Sequence, residues 1–186
     1  PVNSEQTELS GAQQAQLPYA VAVLNGDVDN HADIKVNHSL RIAGPITTDA
    51  KVIPAVMAQY AGTKHAGKGA NLGEAFRRTV AEFDGSVAIA AATAAAPDQV
   101  YIALRGSGQA LYVGLADDMY IVASEPYGVV EETSRYVRVD GETASPSGSR
   151  GQVFLIDGAQ AGSLAGVRRL AYDGSELPIA DSEIVT

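Results

Sequence analysis

"AVAVLNGDVDNH", residues 20–31, decides how the rest of the chain is read. With the two residues before it, the run from Pro18 to Leu24 is short, apolar and β-branched, which predicts a buried strand. Asn25-Gly26 then admits two uses. Both residues tolerate positive φ, so the pair fits the tight turn of a hairpin. At a strand end the same pair can also present the Gly26 backbone N–H beside the Asn25 side-chain amide. Two such donors about 3 Å from a reacting oxygen make an oxyanion hole. The two uses are compatible, with the turn aiming the donors. A calcium loop is excluded, because Ala32 stands at the obligatory glycine position and His38 at the bidentate glutamate position.

Further along, "PITTDAKVIPAVMAQYA" (45–61) predicts a helix with Thr47 or Thr48 as N-cap. Asp49 falls in its first turn, where a negative charge is favoured. Asp49 is also a candidate to grip a substrate ammonium. Pro54 predicts a kink or a late start. "AGTKHAGKGA" (61–70) reads as a loop. "NLGEAFRRTVAEF" (71–83) is a helix by its Asn71/Glu74 capping pair and by Leu72, Phe76, Val80 and Phe83 at helical spacing.

From Ser86 the chain becomes short strands with turns between them: "SVAIAAAT", "QVYIALR", "ALYVGLA", "MYIVAS", "RYVRVDG" and "QVFLIDG". Short connections favour antiparallel pairing. "YGVVEETSR" (127–135) fits a short helix, and "GETASPSGSRG" (141–151) a flexible connection. Strand, two helices, then strands is an α+β pattern without regular βαβ alternation.

Length and composition narrow the function. The chain has 186 residues, enough for one domain with a sizeable core, and a net charge of −9. That charge repels phosphate backbones and anionic lipid, so neither nucleic acid nor membrane is an expected partner. No apolar run approaches the ~18–20 residues of a membrane-spanning helix. The chain has no cysteine, which removes disulfides, thiolate metal sites and thiol nucleophiles of its own. His31, His38 and His65 have no metal-site spacing and read as surface or capping residues. "RGSG" (105–108) lacks the Gly-Lys-Ser/Thr of a P-loop and reads as a turn. Gly158, Gly162 and Gly166 read as loop composition. The residues thus offer oxyanion donors and an acid, with no nucleophile.

The order of these motifs resembles the class II glutamine amidotransferase domain of the glucosamine–fructose-6-phosphate aminotransferase family. "AVAVLNGDVDNH" is similar to that family's strand followed by N-G-x-x-x-N-H. "TTDAKVI" is similar to its T-D-T-E-V-I helix start, and "NLGEAFRRTVAEFDGSVAIAAAT" to its L-x-E-A helix, glycine and apolar strand. "VYIALRGSGQALYVGLADDMYIVASE" follows its A-R-x-G-S-P-L-x-x-G and A-S-D pattern, and "TSRYVRVDGE" its T-R-R strand. The likeness spans roughly residues 18–143. The resemblance implies an N-terminal-nucleophile hydrolase fold, an αββα sandwich of antiparallel sheets with flanking helices, incomplete here. It implies oxyanion donors at Asn25 and Gly26, and Asp49 as the ligand of the glutamine ammonium. No cofactor is implied.

In that family an N-terminal Cys attacks glutamine, and the ammonia released is used to make glucosamine-6-phosphate from fructose-6-phosphate. The Cys and an Arg-Trp substrate loop lie upstream of the position of Pro1. "PVNSEQTELSGAQQAQ" has no initiator Met and reads as the inside of a longer sequence. The expected organisation is a partial amidotransferase domain (1–143), inactive alone. Residues 144–186 would then be a linker and small β-rich appendage leading to sugar isomerase domains. The parent would be a cytoplasmic homodimer. The T-D-T-E motif has become Thr48-Asp49-Ala50-Lys51, and Gly108 replaces the proline after Gly-Ser. A non-catalytic module that binds an amino acid or a partner domain is the alternative. An amidotransferase with another acceptor, such as aspartate, is a third reading.

Overall fold

The computed structural model describes residues 2–3, 19–42, 44–62, 71–144 and 150–186. The expected loops over 1–17 and 61–70, His65 and the centre of the 141–151 connection fall largely or wholly outside the described residues.

Among the described residues, eleven strands form two sheets, and every adjacent pair is antiparallel. The larger sheet contains β1 (Val2–Asn3), β2 (Ala20–Val28), β3 (Gly85–Thr93), β4 (Ala96–Arg105), β8 (Gln152–Asp157), β9 (Val167–Leu170) and β10 (Glu176–Leu177), side by side in that order. The smaller runs β11 (Ile184–Val185), β7 (Tyr136–Asp140), β5 (Ala110–Leu115) and β6 (Tyr120–Ala123). The α-helices described with them are α1 (His31–Asn37), α2 (Val52–Gly62), α3 (Leu72–Ala81) and α4 (Tyr127–Val130).

The near-continuous apolar runs of β3, β4 and β8 follow from burial on both faces. Successive side chains point to opposite sides of a strand. Val87, Ile89, Tyr101, Ala103 and Val153 therefore face the helices, packing with Ile53, Met57, Phe76, Val80 and Phe83. Ala88, Ile102, Leu104, Phe154 and Ile156 face the smaller sheet, packing with Val113, Leu115, Val137 and Val139. The layers are helix, sheet, sheet and, on the far side, the single turn of α4, whose Val129 lies against Gly114 of β5. The expected α+β class and two antiparallel sheets are the observed ones.

Local chemistry explains the helices. Asn71 Oδ1 accepts from the Glu74 N–H at 3.1 Å, closing the predicted cap of α3. Thr48 Oγ1 accepts from Ala50 N–H at 3.3 Å ahead of a 3-10 turn, Asp49–Lys51. Regular α-helix begins only at Val52, so Pro54 lies in its first turn, where its missing N–H is harmless. Of the two outcomes expected from Pro54, the late start is observed. Helix α1 has no counterpart among the sequence expectations. Its buried side chain is Ile34 alone.

Two expectations are corrected. Asn25-Gly26 is not a hairpin turn. Both residues lie inside β2, paired with Ala88 and Val87 of β3 within an unbroken nine-residue register. Gly26 has φ of +116°, and a Cβ there would sit 1.9 Å from the Ser86 carbonyl oxygen. Glycine is needed for close strand approach and a left-handed backbone, without chain reversal. The described residues of 144–186 do not form a separate appendage, because their strands lie within the two sheets. β8 sits between β4 and β9, and β11 pairs with β7. Phe154 is fully buried between the sheets, so this stretch completes the core.

Candidate active site

β2 carries Asn25 and Gly26 to the exposed end of the larger sheet. The exit of the strand is pinned from three directions. Val28 N–H donates to Asp49 Oδ2 at 2.7 Å. His31 Nδ1 donates to the Val28 carbonyl at 3.0 Å, which fixes the ring tautomer because a carbonyl only accepts. Asn30 Nδ2 donates to the Glu82 carbonyl at 2.8 Å, and Asn30 Oδ1 accepts from Asp84 N–H at 3.0 Å. The Asn and His of the motif thus tie the start of α1 to the strand end and to the turn between α3 and β3.

Asp49 is half-buried. Its Oδ1 accepts from Ala50 N–H at 2.9 Å and from Thr48 Oγ1 at 3.3 Å, so three donors share the carboxylate. The α1–α2 connection that carries it is braced at His38. Nε2 of His38 meets Glu82 Oε2 at 2.7 Å, and Nδ1 meets Gln59 Oε1 at 3.2 Å. Tyr60 donates its hydroxyl to the other oxygen of Glu82, and burial, aided by that carboxylate, pushes the phenol up to about 12.

Asn25 opens onto a cavity of about 450 Å³. Its Nδ2 donates to Gln109 Oε1 at 3.3 Å, a long bond on an exposed side chain that a ligand could replace. The other walls come from the smaller sheet and its loops: Tyr112, Ser124, Glu125 and Arg138. Tyr112 stands edge-on to Tyr136, ring centres 5.6 Å apart. The cavity lies in the size range of small-molecule sites, about 300–1,000 Å³. Its lining is mostly polar and includes one acid and one guanidinium.

Asn25 lines this accessible cavity and Gly26 follows it in β2, while Asp49 holds the strand near them and does not line it. Gln109, Glu125 and Arg138 are not among the residues that the sequence singles out. They gather from three separated segments, and no local pattern marks them.

The arrangement is an N-terminal-nucleophile-hydrolase-like αββα sandwich of two antiparallel sheets with flanking helices. The chain superposes on the glutamine phosphoribosylpyrophosphate amidotransferase of B. subtilis, solved with ADP and GMP, with a TM-score of 0.56 and 18% identity, covering 83% of this chain and 29% of that one. A second solved structure, described as the allosteric regulatory enzyme of purine biosynthesis, gives 0.56 at 17% identity over the same shares.

In sequence the chain is similar to glutamine–fructose-6-phosphate aminotransferase (isomerizing). It is 30% identical to that of Bacillus thuringiensis subsp. konkukian over 117 residues, 63% of this chain and 18% of the relative. The relative from Geobacillus kaustophilus is 31% identical over 121 residues, 64% of this chain and 19% of the relative. That from Bacillus subtilis strain 168 is 29% identical over 126 residues, 68% and 20%. The chain thus spans about a fifth of the curated relatives it matches. No family model matches it. These relatives bear the name of the family whose motif order the sequence resembles.

Proposed function

We propose that this chain is the glutamine-handling part of a glutamine-dependent amidotransferase that supplies ammonia for the amination of fructose-6-phosphate. The match to the named aminotransferases over 117 residues, 63% of the chain, is the observation that carries the reading. The chemistry is hydrolysis of the glutamine side-chain amide to glutamate and ammonia. A nucleophile adds to the amide carbon, and the carbonyl oxygen becomes an oxyanion. Asn25 Nδ2–H and the Gly26 N–H are the proposed donors to that oxygen. Ammonia leaves, and water releases glutamate from the acyl intermediate. The resemblance assigns the attack to an N-terminal cysteine. This chain has no cysteine, so it supplies stabilisation and binding.

Asp49 we assign to positioning. An ammonium bound there would compete with Val28, Ala50 and Thr48 for the same two oxygens. Residues 144–186 complete the sheets and lead toward any acceptor domain.

Expression from the complete gene tests the reading. The expected result is glutamate released from L-glutamine, with glucosamine-6-phosphate formed when fructose-6-phosphate is added. Glutamine binding without glutamate release would favour the non-catalytic module, which the missing cysteine also fits.

A further inference from the structure

The excursion from β2 through α1 carries a polar cluster that neither the resemblance nor the proposed chemistry uses. Helix α1 buries one side chain, Ile34, so polar contacts at its two ends set its seat. Both ends reach the same residue, Glu82, which caps the C-terminus of α3. The Glu82 backbone carbonyl accepts from Nδ2 of Asn30, the N-cap of α1, at 2.8 Å. The Glu82 carboxylate meets Nε2 of His38, the C-cap of α1, at 2.7 Å. Its other oxygen accepts from the Tyr60 hydroxyl of α2. One residue thus spans α1 from cap to cap and ties it to α2.

The hydrogens of this cluster follow from its geometry. Gln59 Nε2 donates to the His38 carbonyl at 3.2 Å, which turns Gln59 Oε1 toward the ring. Nδ1 of His38 therefore faces, at 3.2 Å, an oxygen that only accepts. Nε2 faces a carboxylate, which also only accepts. A neutral imidazole has one N–H and one lone pair, and the lone pair would point at one of these oxygens. Both contacts are satisfied when both ring nitrogens carry hydrogen. The ring is then a cation against an anion, the stronger kind of hydrogen bond. The His38 and Glu82 side chains are only 16% and 32% exposed, so water screens them less than a surface pair. The Tyr60 ring stands edge-on to His38 at 5.7 Å, and the Arg78 guanidinium lies 4.7 Å from the centre of that same ring. The titratable and charged groups gathered here are thus His38 and Glu82, with Tyr60 from α2 and Arg78 from α3.

We propose that Glu82 is a positioning residue, which clamps α1 at both ends through Asn30 and a His38 imidazolium and so holds the exit of the strand that bears Asn25 and Gly26. The path is short. On one side of Val28, Asp29 N–H donates to the Asp84 carbonyl at 2.9 Å, and Asn30 is gripped by Glu82. On the other, the chain beyond His38 delivers Asp49, whose carboxylate accepts the Val28 N–H at 2.7 Å. Freeing His38 from Glu82 loosens the second hold while leaving the first. The positioning role rests on the amidotransferase reading. The state of the His38 ring does not.

Two measurements test the inference. The first is the nitrogen NMR spectrum of this chain labelled at the histidine ring nitrogens, with His38→Gln assigning the signals. At about pH 7.5, where an unpaired imidazole is mostly neutral, His38 should show two protonated ring nitrogens in wild type and one in Glu82→Gln. One protonated nitrogen in wild type overturns the inference. The second is glutaminase kinetics of the complete-gene protein as wild type, Glu82→Gln, His38→Gln and the double variant, each well below its melting midpoint. Glu82→Gln keeps the backbone carbonyl that holds Asn30 and removes only the carboxylate. Each single variant should lower kcat about 10-fold with a smaller change in KM, part of the loss that removing a whole oxyanion donor causes. The double variant should lose no more than either single, because the two side chains act as one unit. Unchanged kcat in the folded single variants, or losses that add in the double, overturns the positioning role alone. Absence of glutaminase activity in wild type overturns the amidotransferase reading and the positioning role with it, and the ring spectrum then decides the clamp separately.

Discussion

The Val28 backbone N–H and the Asp49 carboxylate meet at 2.7 Å across 21 positions of chain. This contact closes the excursion through α1, so the acid at the helix start and the strand bearing Asn25 and Gly26 hold one another in place. Asp49→Ala would strand the Val28 and Ala50 amides in a half-buried setting. The expected loss is about 1–3 kcal/mol of stability, read by denaturant unfolding. Unchanged stability with a raised KM for glutamine would return Asp49 to the role of ammonium ligand.

Gly26 gives a second prediction. A side chain there meets the Ser86 carbonyl and a left-handed backbone together. Gly26→Ala should destabilise by about 1–3 kcal/mol, the range for residues forced into sparsely populated backbone regions. Gly44 is the control, because among the described residues a Cβ at that position would meet nothing within 4 Å. Gly44→Ala should stay within about 0.5 kcal/mol of wild type. Equal effects at the two positions would contradict the strand geometry.

Phe154 tests whether residues 144–186 belong to the core. It pairs with Ile102 across β4 and β8 and is buried between the sheets. Phe154→Ala should remove about 3–5 kcal/mol. A chain ending at residue 143 that unfolds cooperatively at the wild-type midpoint would show this segment to be dispensable.

The buried phenol of Tyr101 predicts alkaline behaviour. It donates to Gln99 Oε1 at 2.7 Å, and burial pushes its pKa from 10.0 up to about 12. The folded state therefore holds this proton more tightly than the unfolded state. Its contribution to stability is complete below pH 10 and is lost as pH rises toward 12. Tyr101→Phe cannot ionise, so its stability should fall less steeply over that window, as followed by circular dichroism against the tyrosinate absorbance. Parallel pH profiles for the two proteins would contradict the assignment.

Most of the strands are legible in the sequence because their patterns are local. β3, β4 and β8 announce burial on both faces by continuous apolar runs, and α3 by Asn71 and Glu74. Asn25-Gly26 misleads because a glycine at positive φ has the same sequence signature in a turn and in a strand. Nine residues of pairing with β3, which lies far along the chain, make the difference. Helix α1 is hidden for a related reason. With one buried residue, it has almost no periodicity to detect, and tertiary anchors at Asn30 and His31 hold it. The β character of 152–185 is visible, but nothing local shows that β8 joins β4. Arg138 looks like any outward residue of a half-buried strand until the fold brings it to the cavity that Asn25 lines.

The most direct test of the central claim is the glutaminase rate of Asn25→Ala in the complete-gene protein. Asn25 is exposed, and its side-chain amide makes a long bond to Gln109, so the substitution should spare the fold. Loss of one oxyanion donor should lower kcat about 10²–10³-fold with a smaller change in KM. A kcat within a few-fold of wild type would contradict the placement of the oxyanion at Asn25.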